Sequence, residues 1–304
     1  MRFSSPPAPV RLAAALLFLA VALPPVAATP SSPAPPELTA AETTDVLFDE
    51  SFVVREGGEL RLDLGNEDVT VRTVRGTLAR VVVEGRGRDA EREFERRRFS
   101  ASSAGEDLIV RTDPPRSYWQ NRPRTDASFS VTVEIPQRYS VDLDVGSGEI
   151  QLASIVGDAR IDTGSGNVDV ETIDGRAILI DTGSGNVRAE RLRGEVRIDT
   201  GSGDVEVGSV EGGPLTIDTG SGDVDVALRT DASARFDTGS GDVTVRLARG
   251  AGFDVDMDGG RIRIDDVLQF AGRSERRSAR GQIGRGGGKI QVGTGSGTIR
   301  LVAD

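Results

Sequence analysis

The stretch IDTGSGNVDV at residues 161–170 decides the fold, because its first half recurs along the chain. The same pattern, an apolar residue followed by Asp-Thr-Gly-Ser-Gly, returns with its aspartate at 181, 199, 218 and 237, in steps of 18 or 19 residues. Each unit holds two short runs in which apolar and polar residues alternate, and glycine-bearing turns separate them. Alternation with a period of two is typical of β-strands that bury one face. The β-branched residues and frequent glycines exclude a helical interpretation.

Near-identical units at a fixed spacing favour a stack of coils over a sandwich, because each unit then buries its apolar face on the next. We therefore predict an all-β fold, a right-handed parallel β-solenoid with 18–19-residue coils and an irregular N-terminal β part. The spacing extends back to Gly146 and forward to Asp258, and it returns at Gly295 after a less regular segment. This periodicity predicts that residues 253–264 stack directly on residues 234–247.

Composition divides the chain into four parts. Residues 1–28 combine two arginines with the apolar run LAAALLFLAVAL and end in small residues, which predicts a cleaved secretory signal peptide. Residues 29–45 form a Pro-rich linker. Residues 46–140 contain strand-like runs without a clean repeat, as expected for irregular early coils or a β-cap. Residues 141–304 carry the solenoid repeats, with an excursion at 265–289.

The absence of two residue types restricts the chemistry. The 304 residues include no Cys and no His, so thiol and imidazole nucleophiles, bases and metal ligands are excluded. The net charge of −11 argues against a nucleic-acid partner, which would need a basic face. Any bound metal would be a hard cation held by oxygen atoms. We predict no cofactor.

The repeated Asp-Thr-Gly-Ser resembles the catalytic turn of pepsin-like proteases, but five parallel copies do not form the opposed pair of carboxylates that this chemistry needs. Calcium binding by a β-roll is a second interpretation. Its candidate ligands are aspartates on either side of the Gly-Ser-Gly turns, namely Asp199, Asp204, Asp218, Asp223, Asp237 and Asp242. A third interpretation is structural. The aspartate before the turn then accepts N–H bonds from the turn, and Arg160, Arg197 and Arg235 screen the aspartate column.

One loop stands out as a contact candidate. The stretch PPRSYWQNRPR at 114–124 combines aromatic and basic side chains, a pairing that suits sugar or protein contacts. Its candidate residues are Arg116, Tyr118, Trp119 and Arg122. The alternative is that the loop packs over the open end of the solenoid, which needs a cap to prevent edge-to-edge association.

Three motifs together resemble the bacterial DUF4097 family, whose members are also called putative adhesins. They are VEIP at 133–136, the repeated DTGSGDV, and the ending GQIGRGGGKIQVGTGSGTIRL at 281–301. The resemblance covers about residues 46–304. It implies an exported or envelope-associated β-helical protein and supplies no catalytic residues. It also implies that some relatives act in envelope-stress sensing.

These observations lead to one expected function and two alternatives. We expect a non-enzymatic, exported scaffold, periplasmic or at the cell surface, that binds a protein or glycan partner at the cell envelope. A glycan-cleaving site is not expected, because such a site would combine unlike residues where every column here repeats. The alternatives are a calcium-stabilised β-roll and an envelope-stress sensor with a membrane-protein partner.

Overall fold

The structure of the chain, a computed structural model, describes residues 44–115 and 125–304. The predicted signal peptide and nearly all of the predicted linker lie outside the described residues. So does the candidate contact loop with Arg116, Tyr118, Trp119 and Arg122.

The described residues form 23 strands, one α-helix and one short 3-10 helix. The N-terminal elements are β1 (Thr44–Val53), β2 (Glu59–Leu64), β3 (Asp68–Val74), β4 (Leu78–Arg86), α1 (Ala90–Arg97), β5 (Phe99–Ala104), β6 (Asp107–Thr112) and β7 (Ser128–Pro136). The central strands are β8 (Ser140–Val145), β9 (Ile150–Leu152), β10 (Ile155–Val156), β11 (Ala159–Thr163), β12 (Val168–Thr182), β13 (Val187–Thr200), β14 (Val205–Thr219), β15 (Val224–Leu228), β16 (Ala234–Thr238) and β17 (Val243–Leu247). The last elements are β18 (Phe253–Asp258), β19 (Arg261–Ile264), a 3-10 turn (Asp266–Leu268), β20 (Phe270–Ser274), β21 (Ser278–Ile283), β22 (Gly288–Thr294) and β23 (Thr298–Ala303).

The central strands stack as the repeat predicts. Each pairs in parallel with the equivalent strand of the next coil, so identical motif positions lie side by side. Ile161, Ile180, Ile198, Ile217 and Phe236 form one such column, and each is at most 1% exposed. The predicted β-solenoid is therefore confirmed, with a continuous Val/Ile core between its sheets.

The threonine of each motif, and not the aspartate, holds the turn. The amide N–H of Gly203 donates to Thr200 Oγ1 at 3.0 Å, and the Thr200 hydroxyl donates to the carbonyl of Gly185 in the preceding coil at 3.3 Å. Equivalent bonds to a turn glycine recur at Thr163, Thr182, Thr219, Thr238 and Thr294. The prediction that the aspartate accepts these N–H bonds was wrong. A buried hydroxyl satisfies two backbone groups that would otherwise be left unpaired.

The N-terminal region contributes one coil and a set of closing strands. β2 and β3 stack in parallel on β8 and β9, although about 80 residues separate them in sequence. On their other side lie β6 and β7. Antiparallel strands then complete this end, with β5 on β6, β4 on β7, and β1 on β4. Changing from parallel to antiparallel pairing ends the repeat.

A buried ion pair closes the turn of this first coil. Glu67 occupies the position of the second turn glycine, and its carboxylate contacts both the Arg97 guanidinium and the amide N–H of Gly65. The Arg97 guanidinium also stacks on Phe129, 4.6 Å from the ring centroid. Both charged side chains are at most 7% exposed. In this coil, a side chain from α1 therefore stabilises the turn that a glycine forms in the later coils.

The C-terminal end departs from the predicted order. β22 and β23 are inserted between coil β16–β17 and coil β18–β19. The spacing predicted that Val255 lies beside Phe236. In the structure Val292 lies beside Phe236, and Met257 lies on the other side of Val292. The reason lies in the turn, because the Thr294 hydroxyl donates to the carbonyl of Gly241 at 3.0 Å, a bond that Met257 cannot make. The antiparallel strands β20 and β21 cover the displaced coil.

Candidate functional site

A column of aspartates follows the outer face of the solenoid before the turns. It lies on the strands before the turns, where aspartates of successive coils are direct register partners. The column comprises Asp63, Asp144, Asp162, Asp181, Asp199, Asp218 and Asp237. The structure thus places Asp199, Asp218 and Asp237 together as predicted, and it extends the column by Asp63 from the N-terminal coil. Like charges one strand spacing apart repel, so this arrangement needs compensation.

Arginines in alternate coils provide that compensation. Arg197 and Arg235 each contact the aspartate two residues later, with N–O distances of 3.4 Å. Arg160 approaches Asp162 at 3.5 Å and Asp142 of the neighbouring coil at 3.8 Å. The predicted screening by arginine is confirmed. Most of these arginines contact an aspartate of their own strand, and not, as predicted, an aspartate diagonally across on the neighbouring strand. The coil of Asp181 carries Leu179 at the arginine position.

Two aspartates in coils without this arginine, Asp181 and Asp144, show the electrostatic cost. Partial burial, together with the charges of Asp162 and Asp199, raises the pKa of Asp181 above its ordinary value. Burial and repulsion by Asp162 and Asp63 likewise raise the pKa of Asp144. A carboxyl group with a raised pKa in the folded state disfavours folding when ionised, and this penalty disappears as the pH falls through that pKa.

Replacing Leu179 with arginine should therefore stabilise the protein at neutral pH. The new guanidinium would lie beside Asp181 as Arg197 lies beside Asp199, which should lower the pKa of Asp181. Because the pair is exposed, we expect a gain of only about 0.3–0.5 kcal/mol in unfolding free energy at pH 7. This gain should disappear at low pH, where the Asp181 carboxylate is protonated and no longer attracts the guanidinium. Urea denaturation at pH 7 and pH 3 measures the effect, with Leu179→Gln as the uncharged control. A gain of equal size at both pH values would contradict the electrostatic explanation.

A second column, immediately after the turns, is engaged by the backbone. The side-chain oxygen of Asp204 accepts the amide N–H of Asp223 at 2.9 Å, and that of Asp223 accepts the N–H of Asp242 at 2.7 Å. Asp242 accepts the N–H of Thr298 at 2.6 Å, and Asn186 accepts the N–H of Asp204 at 2.8 Å. Asparagine and aspartate both supply this acceptor, which explains why both occur in the column.

The six candidate calcium ligands thus lie in two separate columns. Asp199, Asp218 and Asp237 belong to the first column, and Asp204, Asp223 and Asp242 belong to the second. Within residues 44–115 and 125–304, no group of three or more acidic side chains has a geometry that could hold a metal ion.

A recess interrupts the regular surface on the face after the turns. It forms where the short strand β9 ends at Leu152 and the chain continues with Ala153, between the longer strands β3 and β12. The larger side chains of Arg72 and Glu171 stand on either side of Ala153. Four coils contribute to this recess of about 380 Å³, and its polar lining consists of Thr70, Arg72, Gln151, Asp169, Glu171, Arg188 and Glu190.

Two charged groups of this recess have no partner among the residues that the structure describes. Arg188 pairs with Glu206 at 3.0 Å and approaches Asp169 at 4.0 Å, while Glu171 accepts hydrogen bonds from Ser154. By contrast, Arg72 at one end and Glu190 at the other make no ion pair or hydrogen bond through their side chains to any described residue. Both are exposed. Unpaired charges of opposite sign, facing an open concavity, are available to a ligand.

The sequence prediction missed this site. Sequence spacing identifies unlike neighbours only between adjacent repeats. The recess forms because the coil at residues 59–74 lies beside the coil at 140–152, far away in the sequence. One sequence signal could have indicated this pairing, namely the weak match of LDLGNEDVTV at 62–71 to the repeated motif. Aligned on the motif, Thr70 becomes a register neighbour of Gln151, which in turn lies beside Asp169.

A parallel β-solenoid closed by antiparallel strands is thus the class to which the described residues belong. The chain is a member of the DUF4097 family, whose sequence model, described as Toastrack DUF4097, matches residues 58–302. Comparison with curated proteins gives no match.

Solved structures are similar to this chain at low identity. A structure from Bacteroides fragilis described as a putative adhesin is 12% identical, covers 86% of this chain and 98% of its own, and has a TM-score of 0.48. One from Parabacteroides distasonis with the same description is also 12% identical, with coverages of 86% and 98% and a TM-score of 0.41. A second protein from that organism, described as a putative lipid binding protein, is 13% identical, with coverages of 84% and 93% and a TM-score of 0.41.

Among the described residues, no helix is long and apolar enough to cross a membrane.

Proposed function

We propose that this chain is a non-enzymatic, exported scaffold that binds a polar partner of the cell envelope, a glycan or a protein, through the recess around Ala153. The observation that carries the proposal is the pair of unpaired charges, Arg72 and Glu190, at opposite ends of a concavity built by four coils. Export is supported by the signal-peptide pattern of residues 1–28.

A binding role without catalysis is supported by how the recess carboxylates are held. Asp169 lies 4.0 Å from Arg188 and Glu171 accepts hydrogen bonds from Ser154, so Glu190 has no second free carboxylate beside it of the kind that glycoside hydrolysis uses. The recess is also a shallow feature of a sheet surface and does not exclude water, as catalytic sites commonly do.

Filling the recess should abolish binding. Ala153→Arg places a long side chain between Arg72 and Glu171 without touching the core, so we expect at least a tenfold loss of saturable binding to envelope fractions of the source organism. The measurement is a sedimentation binding assay with labelled protein. Ala104→Arg makes the same substitution at an exposed position of β5 and serves as the matched control.

The outcomes of this assay are distinct. Equal binding by Ala153→Arg and wild type would remove the recess from the function, and no saturable binding by the wild type would overturn the proposal itself. Treating the fractions with protease or with periodate separates a protein partner from a glycan partner. Loss of binding after protease alone would favour the sensor alternative.

The proposal includes no resident cation. It is supported by the Oδ1 atoms of Asp204, Asp223 and Asp242, which are already occupied by backbone N–H groups. Addition of a chelator to the purified chain should leave its melting midpoint unchanged, whereas a large decrease would favour the calcium-stabilised β-roll.

A further inference from the structure

We propose that the ligand of the recess is a saccharide that carries a carboxylate at one end and a free amine at the other, an inference that rests on the proposed binding function. The minimal ligand of this class is a disaccharide of a uronic acid and an amino sugar. The carboxylate binds Arg72, the amine binds Glu190, and ring hydroxyls fill the space between them.

The lining favours a saccharide over an acyl chain or an apolar peptide. The apolar residues at the recess, Val71, Leu152 and Val170, point into the core and are at most 4% exposed. What remains at the surface is the Ala153 methyl group, the aliphatic stems of the long side chains, and seven polar groups: one hydroxyl, one amide, two guanidinium groups and three carboxylates. Such groups donate to and accept from neighbouring hydroxyls, but they offer no pocket for an apolar side chain.

The positions of the charges determine the orientation of the ligand along the sheet and its length. Arg72 lies beside Ala153, since the amide N–H of Ala153 donates to the carbonyl of Val71 at 2.9 Å. Glu171 and Glu190 follow on the next two strands. With strands about 4.8 Å apart, Arg72 is roughly 10 Å from Glu171 and 14 Å from Glu190 along the sheet. Two linked pyranose rings with their charged substituents span a similar length.

The other charges of the recess reinforce this orientation. Arg188 is engaged by Glu206 and Asp169, which leaves Arg72 as the free cation of the lining. A planar guanidinium binds a carboxylate through two parallel hydrogen bonds. At the opposite end, Glu171 and Glu190 lie on adjacent strands, so an ammonium group placed there contacts two carboxylates. A ligand bound in the reverse orientation would set like charges together.

The affinity for a single disaccharide should be weak. The recess is open, and no aromatic ring lines it. We therefore expect a dissociation constant on the order of 1 mM for an isolated disaccharide.

Three saccharide probes, one peptide probe and two variants test the inference by NMR titration of the purified chain. The saccharides are a glucuronic acid–glucosamine disaccharide, its N-acetylated form, and a glucose–glucosamine disaccharide that keeps the amine and lacks the carboxylate; the peptide is a dipolar tetrapeptide. Wild type should prefer the first saccharide about tenfold over each of the other two. Arg72→Gln should remove the preference over the form without the carboxylate, and Glu190→Gln should remove the preference over the N-acetylated form. Arg263→Gln, an exposed arginine outside the recess, is the control and should change neither ratio.

The titration also separates this inference from the proposed function. Equal affinity for the three saccharides, or a preference unaffected by both variants, would overturn the ligand class. Preferential binding of a dipolar tetrapeptide over all three saccharides would replace it with a peptide ligand. In each case the envelope assay with Ala153→Arg still decides whether the recess binds a partner. The probe should be recovered uncleaved after incubation, and cleavage would contradict the non-enzymatic proposal.

Discussion

Gly203→Ala is expected to destabilise the protein by at least about 4 kcal/mol, or to prevent folding altogether. A Cβ atom at this position would lie 1.8 Å from the carbonyl oxygen of Gly185 in the preceding coil. The clash is with backbone on one side and with Thr200 on the other, so no flexible side chain can move aside. Chemical denaturation, or soluble yield if folding fails, measures the effect.

A second glycine provides the control. Gly293→Ala adds the same methyl group on β22, where the nearest atom is the Asp237 side chain at 3.5 Å. This variant should stay within about 0.5 kcal/mol of wild type. If both variants were equally stable, the turn glycines would not be required by stacking. The first coil already illustrates the point, because Glu67 stands at the equivalent position, where its side chain contacts the Arg97 guanidinium.

Arg97→Met is expected to cost about 3–5 kcal/mol, because it leaves the carboxylate of Glu67 buried without its cation. The loss approaches the whole stability of many domains, so the coil formed by β2 and β3 should open at lower denaturant concentration than the central repeats. Hydrogen exchange of β2 and β3 amides, combined with denaturant unfolding, measures this local opening.

The charge itself can be tested by a second substitution. Glu67→Gln in the Arg97→Met background removes the uncompensated charge and should restore about 1–3 kcal/mol. Arg92→Met, which removes an exposed arginine of the same helix near Asp89, should change stability by less than about 0.5 kcal/mol. Failure of the double variant to recover would indicate that Arg97 acts through its packing on Phe129.

The regular part of the fold was predictable because its signal is local. Each strand and turn of the central coils is encoded within 18–19 residues, so the column of Ile161, Ile180 and Ile198 could be identified without any structure. The period of two also places Thr163 on the inward face with Ile161, and Asp162 on the outward face. What the alternation did not reveal is that the buried hydroxyl, and not the outward carboxylate, accepts the N–H group of the turn glycine.

The two ends were predicted less well because their pairings are not local. Residues 253–264 and 288–303 both carry the strand pattern that fits beside β16 and β17, and the spacing alone favoured the nearer segment. The choice depends on Thr294, whose hydroxyl reaches Gly241. The recess around Ala153 escaped prediction for a related reason, since it combines strands that are far apart in the sequence.

The insertion of β22 and β23 between two earlier coils has a consequence for how the chain reaches its final state. The outer coil at residues 253–264 cannot take its place until the last 17 residues are available, because they supply the surface on which it rests. Assembly of this part of the solenoid therefore cannot follow the order of the chain, because a later segment has to be placed before an earlier one. Removal of residues 288–304 would take out an inner layer and not the outermost one, and it would leave the strands on both sides of that layer without their partners.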